Sequence, residues 1–278
     1  MKVIGRPLIT LKQVFDACVN DIAEGDKKQS FIDCYDVLAD AEAFFNGKVI
    51  SQEVYQIETA KSILGSIGKE EMVWLYEYKM VQRNGRDYYD YIRASAPFGK
   101  CPLCSVREVE TLDHYLPKTQ FPALAITPIN LVPSCSPCNT GKKIKYPRTT
   151  AEQTLHPYYD DIEKDNWLSA HLIKTDPIGF HFFVNAPEAW DHVKADRVKN
   201  HFESYGLDEL FSAKANEELR GSQSYHQALF NHSSELLKFH LEESGKSRAL
   251  NLGVNSWQAV MYKTLASDEW FLSEGVLI

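Results

Sequence analysis

The chain has 278 residues, 44% of them hydrophobic and 24% charged, with a formal net charge of −8. These proportions suit a soluble globular protein with room for one large domain or two to three small ones. They argue against unaided wrapping of nucleic acid, which needs many Lys and Arg contacts to phosphate, and the apolar runs are too short for a transmembrane helix.

The segment from Met1 to Pro7 has no apolar core before Thr10, so no secretory leader is expected. Six cysteines in a long chain fit reduced thiols in a cytoplasm better than a disulfide framework. Residues 1–96 read as a helical region. Thr10 can cap a helix with Val14, Phe15, Cys18 and Ile22 at helical spacing. A second helix from Ser30 places Ile32, Tyr35, Leu38, Ala41 and Phe45 on one stripe and is expected to end at Asn46-Gly47. Helices are also predicted over 51–67 and 70–82. Asn84-Gly85 then breaks the pattern, and Asp87 can cap a short aromatic helix. Cys18 and Cys34, each in an apolar helical segment, read as buried thiols.

At Pro97-Phe98-Gly99 the character changes. Residues 97–160 are turn-rich and punctuated by Pro117, Pro122, Pro128, Pro133 and Pro137. Such a segment buries little apolar surface alone, which is where a structural metal helps. It contains Cys101-Pro-Leu-Cys104 and Cys135-Ser-Pro-Cys138, separated by 30 residues. Four thiolates suit a tetrahedral Zn²⁺ with no open position. His156, Asp160 and Asp161 follow, read as a packed loop in preference to a second metal site.

In residues 161–278 a β-hairpin is predicted around Asp176-Pro-Ile-Gly179, then helices over 193–205, 208–219, 222–243 and 257–265. The expected fold is α+β and mostly helical, with a central zinc-stapled module between two helical regions, the second carrying a β-hairpin.

The string Asp113-His114-Tyr-Leu-Pro117-Lys118, then Asn130-Leu131 and Cys135-Ser-Pro-Cys138-Asn139-Thr-Gly-Lys142, resembles the HNH (ββα-metal) endonuclease family. The resemblance covers about residues 100–145 and implies a strand–strand–helix module that hydrolyses phosphodiester bonds. It implies a divalent cation, Mg²⁺ or Mn²⁺, on the oxygen ligands Asp113 and Asn139. His114 is then the general base, and Asn130 holds its other ring nitrogen. Lys142 matches the family lysine and is expected on phosphate, extended by Lys143, Lys145 and Arg148. The layout is similar to HNH effectors of bacterial anti-phage systems. The family resemblance makes DNA the expected substrate, while that similarity and the acidic charge suggest a partner ATPase or other recognition subunit. A ribonuclease of the same fold, or a zinc-stapled binding module without catalysis, are the alternatives.

Overall fold

The computed structural model describes residues 1–142 and 145–278. Helix dominates, with three two-stranded antiparallel hairpins among the described residues, so the fold is α+β. The chain divides into two compact units, Met1–Asp160 and Asp161–Ile278.

The N-terminal unit opens with α1 (Leu11–Asn20), α2 (Asp26–Asp33) and α3 (Tyr35–Ile50). Thr10 caps α1 through a reciprocal box with Gln13, satisfying two otherwise orphaned backbone donors. The helix expected from Ser30 is two helices broken at Cys34, and α3 runs on through Asn46-Gly47. No turn forms there because neighbouring Phe45 and Val49 are drawn into the core, and burial outweighs the modest cost of a helical glycine.

The helix expected over 51–67 is absent. Gln52 ends the preceding segment with φ 58°, Val54–Gln56 forms one 3₁₀ turn, and β1 (Ser62–Leu64) pairs with β2 (Ile67–Gly68). Gly65, at φ 56°, supplies the left-handed residue that this tight turn needs.

Next come α4 (Lys69–Trp74), a π-helical turn (Leu75–Met80) and α5 (Arg86–Ala94). Wide π turns inside helices occur often at functional sites. Here the turn buries Leu75, Tyr76, Lys79 and Met80. Beyond it lie β3 (Thr111–His114), β4 (Leu131–Ser134) and α6 (Ser136–Lys142). β3 and β4 are antiparallel, with Asp113 opposite Val132 and His114 opposite Leu131.

The expected boundary between 96 and 97 does not separate two bodies. A single buried cluster joins Val14, Phe31, Leu38, Met72, Leu75 and Ile92 of the helices to Leu112, Ala125, Ile126 and Leu131 of the hairpin and its loop. The cysteine-rich segment, poor in apolar residues of its own, borrows this core.

In the C-terminal unit β5 (Leu168–Ile173) pairs with β6 (Gly179–Val184), followed by α7 (His192–Ser204), α8 (Leu207–His232), α9 (Ser234–Leu252) and α10 (Trp257–Ser267). Asp208 ties the hairpin to α8 by accepting from Phe182 N at 2.8 Å and pairing with His181 Nδ1 at 2.9 Å. The expected helices 208–219 and 222–243 are redrawn. α8 runs through Gly221 and Ser222, whose hydroxyl donates back to Glu218 O. The break falls instead at Ser233, which caps α9 by accepting from Leu236 N.

Cys18 and Cys34 are buried, as expected, and burial pushes their thiols up to about 12 and about 11. Both are therefore protonated and unreactive at neutral pH.

Gly85 sits where the chain leaves the π turn against α1. A Cβ there would meet Met80 Cα at 2.6 Å, Cys18 Sγ at 2.7 Å and Lys79 O at 3.0 Å. Two of these atoms are backbone and cannot yield by a rotamer change. Gly85→Ala is expected to destabilise the N-terminal unit by about 1–3 kcal/mol, as overpacking does, read as a lower urea midpoint. An unchanged midpoint would contradict this packing.

Candidate metal centre and active site

Two turns bring the four cysteines together. In the first, Ser105 N donates to Cys101 O at 2.7 Å and Cys101 N to Arg107 O at 2.8 Å, with Ser105 at φ 59°. The second is the first turn of α6, where Asn139 N donates to Cys135 O at 3.1 Å. All four thiols are buried and their sulfurs lie within 4.8 Å of one another. Cys104 Sγ and Cys135 Sγ are 4.0 Å apart. Zn–S bonds of about 2.3 Å in a tetrahedron put sulfurs about 3.8 Å apart, so the cluster has the size of a metal site and can hold an ion such as zinc. Hydrogen bonds from Cys101, Cys135 and Cys138 hold the Cys104 thiol far down, which favours the thiolate that a metal requires.

Beside this cluster β3 ends in Asp113 and His114, both nearly inaccessible to solvent. Burial raises the Asp113 carboxyl, and the ammonium of Lys142 opposes that rise. Lys142 Nζ donates to Asp113 Oδ2 at 3.1 Å, His114 O at 2.9 Å and Tyr115 O at 2.6 Å. An ammonium has three donors, and all three are taken. Lys142 therefore serves as an internal clamp on the Asp113–Tyr115 segment, and its expected contact with phosphate is not compatible with this arrangement.

His114 Nε2 lies 2.8 Å from Ala125 O. A carbonyl only accepts, so Nε2 carries the proton and Nδ1 holds the lone pair. Burial is the main force pushing His114 down to about 3, with Lys118 and Lys142 adding to it. The edge of the Tyr76 ring packs on the imidazole, centroids 4.4 Å apart.

Asn130 is fully buried but does not hold His114 as expected. Its Oδ1 accepts from Leu116 N at 2.8 Å, and its Nδ2 donates to Leu116 O at 3.0 Å and Leu124 O at 3.1 Å. The side chain closes the loop between the strands, and that loop delivers Ala125 O to His114. Asn130 thus fixes the tautomer at one remove. Asn139 Nδ2 donates to Leu112 O at 3.3 Å and Thr111 Oγ1 at 3.4 Å, which places α6 against β3 and leaves Oδ1 as the amide's acceptor.

Lys145 is exposed, and Arg148 lies over the Tyr146 ring, its guanidinium carbon 4.2 Å from the centroid. Lys143 lies outside the described residues. His156 is a packing residue, as the loop reading had it. Its Nε2 is 3.1 Å from Ile129 O, its Nδ1 accepts from Tyr158 N at 3.3 Å, and its ring lies 4.3 Å from that of Tyr115. Among the described residues the cysteines form the one cluster of His, Cys, Asp or Glu with metal-ligand spacing.

Sequence reasoning missed Tyr76 and gave Lys118 no role. Tyr76 lay unremarked within the helix predicted over 70–82, while Lys118 stood inside the Asp113–Lys118 motif.

No protein-family model matches the chain, and no solved structure matches it. It is similar to Protein ea31 of Escherichia phage lambda, with 26% identity over 293 aligned positions that cover 98% of this chain and 99% of that one. The likeness is end to end, and the name of that protein states no activity.

Two outcomes are expected. Cys135→Ser should lose the bound metal and cost several kcal/mol of stability, because ligand binding in a structural site is folding free energy; elemental analysis beside thermal melting checks this, and retained metal would contradict it. His114 should stay neutral and Nε2-protonated from pH 5 to pH 8 in ¹⁵N NMR, since its folded value lies well below the ordinary 6.5. The sign of the linkage follows. The unfolded chain binds a proton below about pH 6.5 that the folded site refuses, so the fold loses stability as pH falls from about 6.5 toward about 3. An NMR inflection near 6.5 would overturn this.

Proposed function

We propose that this protein is a metal-dependent endonuclease of the HNH type that hydrolyses phosphodiester bonds in DNA. One observation carries the reading. A buried imidazole, held in a defined tautomer by Ala125 O, follows an acidic residue on a strand that is hydrogen-bonded to Asn139 of the helix carrying the second cysteine pair. The strand–strand–helix order and the motif in the sequence support the same class.

In this reading Cys101, Cys104, Cys135 and Cys138 hold a structural Zn²⁺. Asp113 and Asn139 would hold Mg²⁺ or Mn²⁺ through oxygen donors. A cation there supplies charge neutralisation on the phosphorane-like transition state and on the leaving oxygen. The protein supplies the base. His114 Nδ1 takes a proton from the attacking water as its oxygen bonds to phosphorus. The bond from phosphorus to the 3′ oxygen breaks, leaving a 5′-phosphate and, after protonation by solvent, a 3′-hydroxyl. A base pushed so far down is weak, but the negative charge of an entering phosphate favours imidazolium and raises it toward the working range. Lys142 opposes the protonation of Asp113 that burial favours, and it braces the Asp113–Tyr115 segment.

The net charge of −8 supports action with a separate recognition subunit, as an effector of anti-phage defence. Similarity to a phage-encoded chain supports a role in the contest between phage and host without deciding the side.

Plasmid cleavage with Mg²⁺ or Mn²⁺ tests the activity. His114→Ala should lower the rate by about 10²–10⁴, the range of a general base, with metal content unchanged. Equal cleavage by the variant would sink the assignment. Preferential cleavage of an RNA substrate by the wild type would favour the ribonuclease reading.

A further inference from the structure

The nuclease reading needs a cation at the substrate phosphate, and Lys142, the residue the motif offers, is fully committed within the protein. A different lysine stands closer to the reacting group than the stretch after α6 does in sequence. Lys118 lies on the loop that follows β3, half-buried, with its Nζ 5.2 Å from the centroid of the Tyr76 ring. Tyr76 in turn rests its edge on His114. The three side chains follow one another in contact, ammonium over phenol ring and phenol ring against imidazole. The partner of Lys118 is Glu77, at 3.4 Å, whose side chain is 58% exposed. An ion pair at 3.4 Å with one partner this open to solvent is held weakly, so a phosphate can displace the carboxylate.

We propose that Lys118 is the phosphate-binding cation of this site, seated on Tyr76 and held by Glu77 until a phosphodiester takes the place of the carboxylate. This rests on the nuclease reading and deepens it by moving the substrate contact from the helix to the loop between the strands. It also gives the π-helical turn a purpose. Tyr76 and Glu77 are adjacent on that turn, one supporting the cation and the other competing for it.

The two residues should respond in opposite directions. In the non-cleaving His114→Ala background, binding of a short duplex DNA is followed by fluorescence anisotropy across a salt series. Lys118→Gln should weaken binding and make the dependence of log affinity on log salt shallower by about one unit, the loss of one phosphate contact. Lys118→Arg should keep the slope, and Glu77→Gln should tighten binding. If the pair served stability alone, both neutral variants would melt earlier and leave affinity and slope as they were, which would overturn the proposal. In the wild-type background Lys118→Gln should raise KM more than it lowers kcat, which provides a second reading should the His114→Ala background fold poorly. A wild type that cleaves DNA while Lys118→Gln binds and cleaves as well as it does would remove this proposal and leave the nuclease reading standing. A wild type that neither binds nor cleaves would remove both.

Discussion

Four sulfurs within 4.8 Å of one another are the constraint on which this site depends. The segment that carries them has little apolar surface of its own. The first pair lies before β3, the second opens α6, and the loop between the strands separates them in sequence. Drawing the sulfurs together therefore fixes where β3, β4 and α6 meet. An ion at their centre would hold closed a loop whose conformational entropy otherwise opposes folding. Asn139, immediately after the last cysteine, is carried into place against Leu112 O by the same turn.

A second constraint is the polar interior beside the cysteines. Buried charges persist only when paired and hydrogen-bonded. Asp113 and Lys142 meet this requirement, and the two remaining donors of Lys142 secure the backbone at His114 and Tyr115. Asn130 does the equivalent for the loop. Asp113, His114 and the loop behind them are thus held by a small set of buried polar side chains. Their arrangement keeps the His114 lone pair on one defined nitrogen.

Much of this was legible in sequence where the signal is local. The Thr10 cap, the paired cysteines and the hairpin around Pro177 depend on neighbours a few residues apart, and each was readable. The residue types at 113, 114, 130 and 139 were readable for the same reason. What they bond to was not. Asn130 takes its partners from Leu116 and Leu124, and no spacing rule predicts a choice between a loop backbone and an imidazole. Lys142 was expected on phosphate from its match to the family lysine, whereas its ammonium is buried against Asp113, a residue on another element. Tyr76 reaches His114 only because the helices and the hairpin share one core. The helix expected over 51–67 failed where Gln52 and Gly65 adopt positive φ, and the expected stop at Asn46-Gly47 failed because burial of Phe45 and Val49 overrode a turn signal.

The central claim is that the cysteine cluster, through a bound ion, holds the Asp113–His114 site in place. It is tested most directly by removing the ion from the intact protein with a thiol-competitive chelator and following amide hydrogen exchange along the whole chain. The account predicts that protection collapses across 97–142 and in the helices that share its core, while 168–267 keeps its protection. Undiminished protection of β3, β4 and α6 after complete loss of the ion would contradict it.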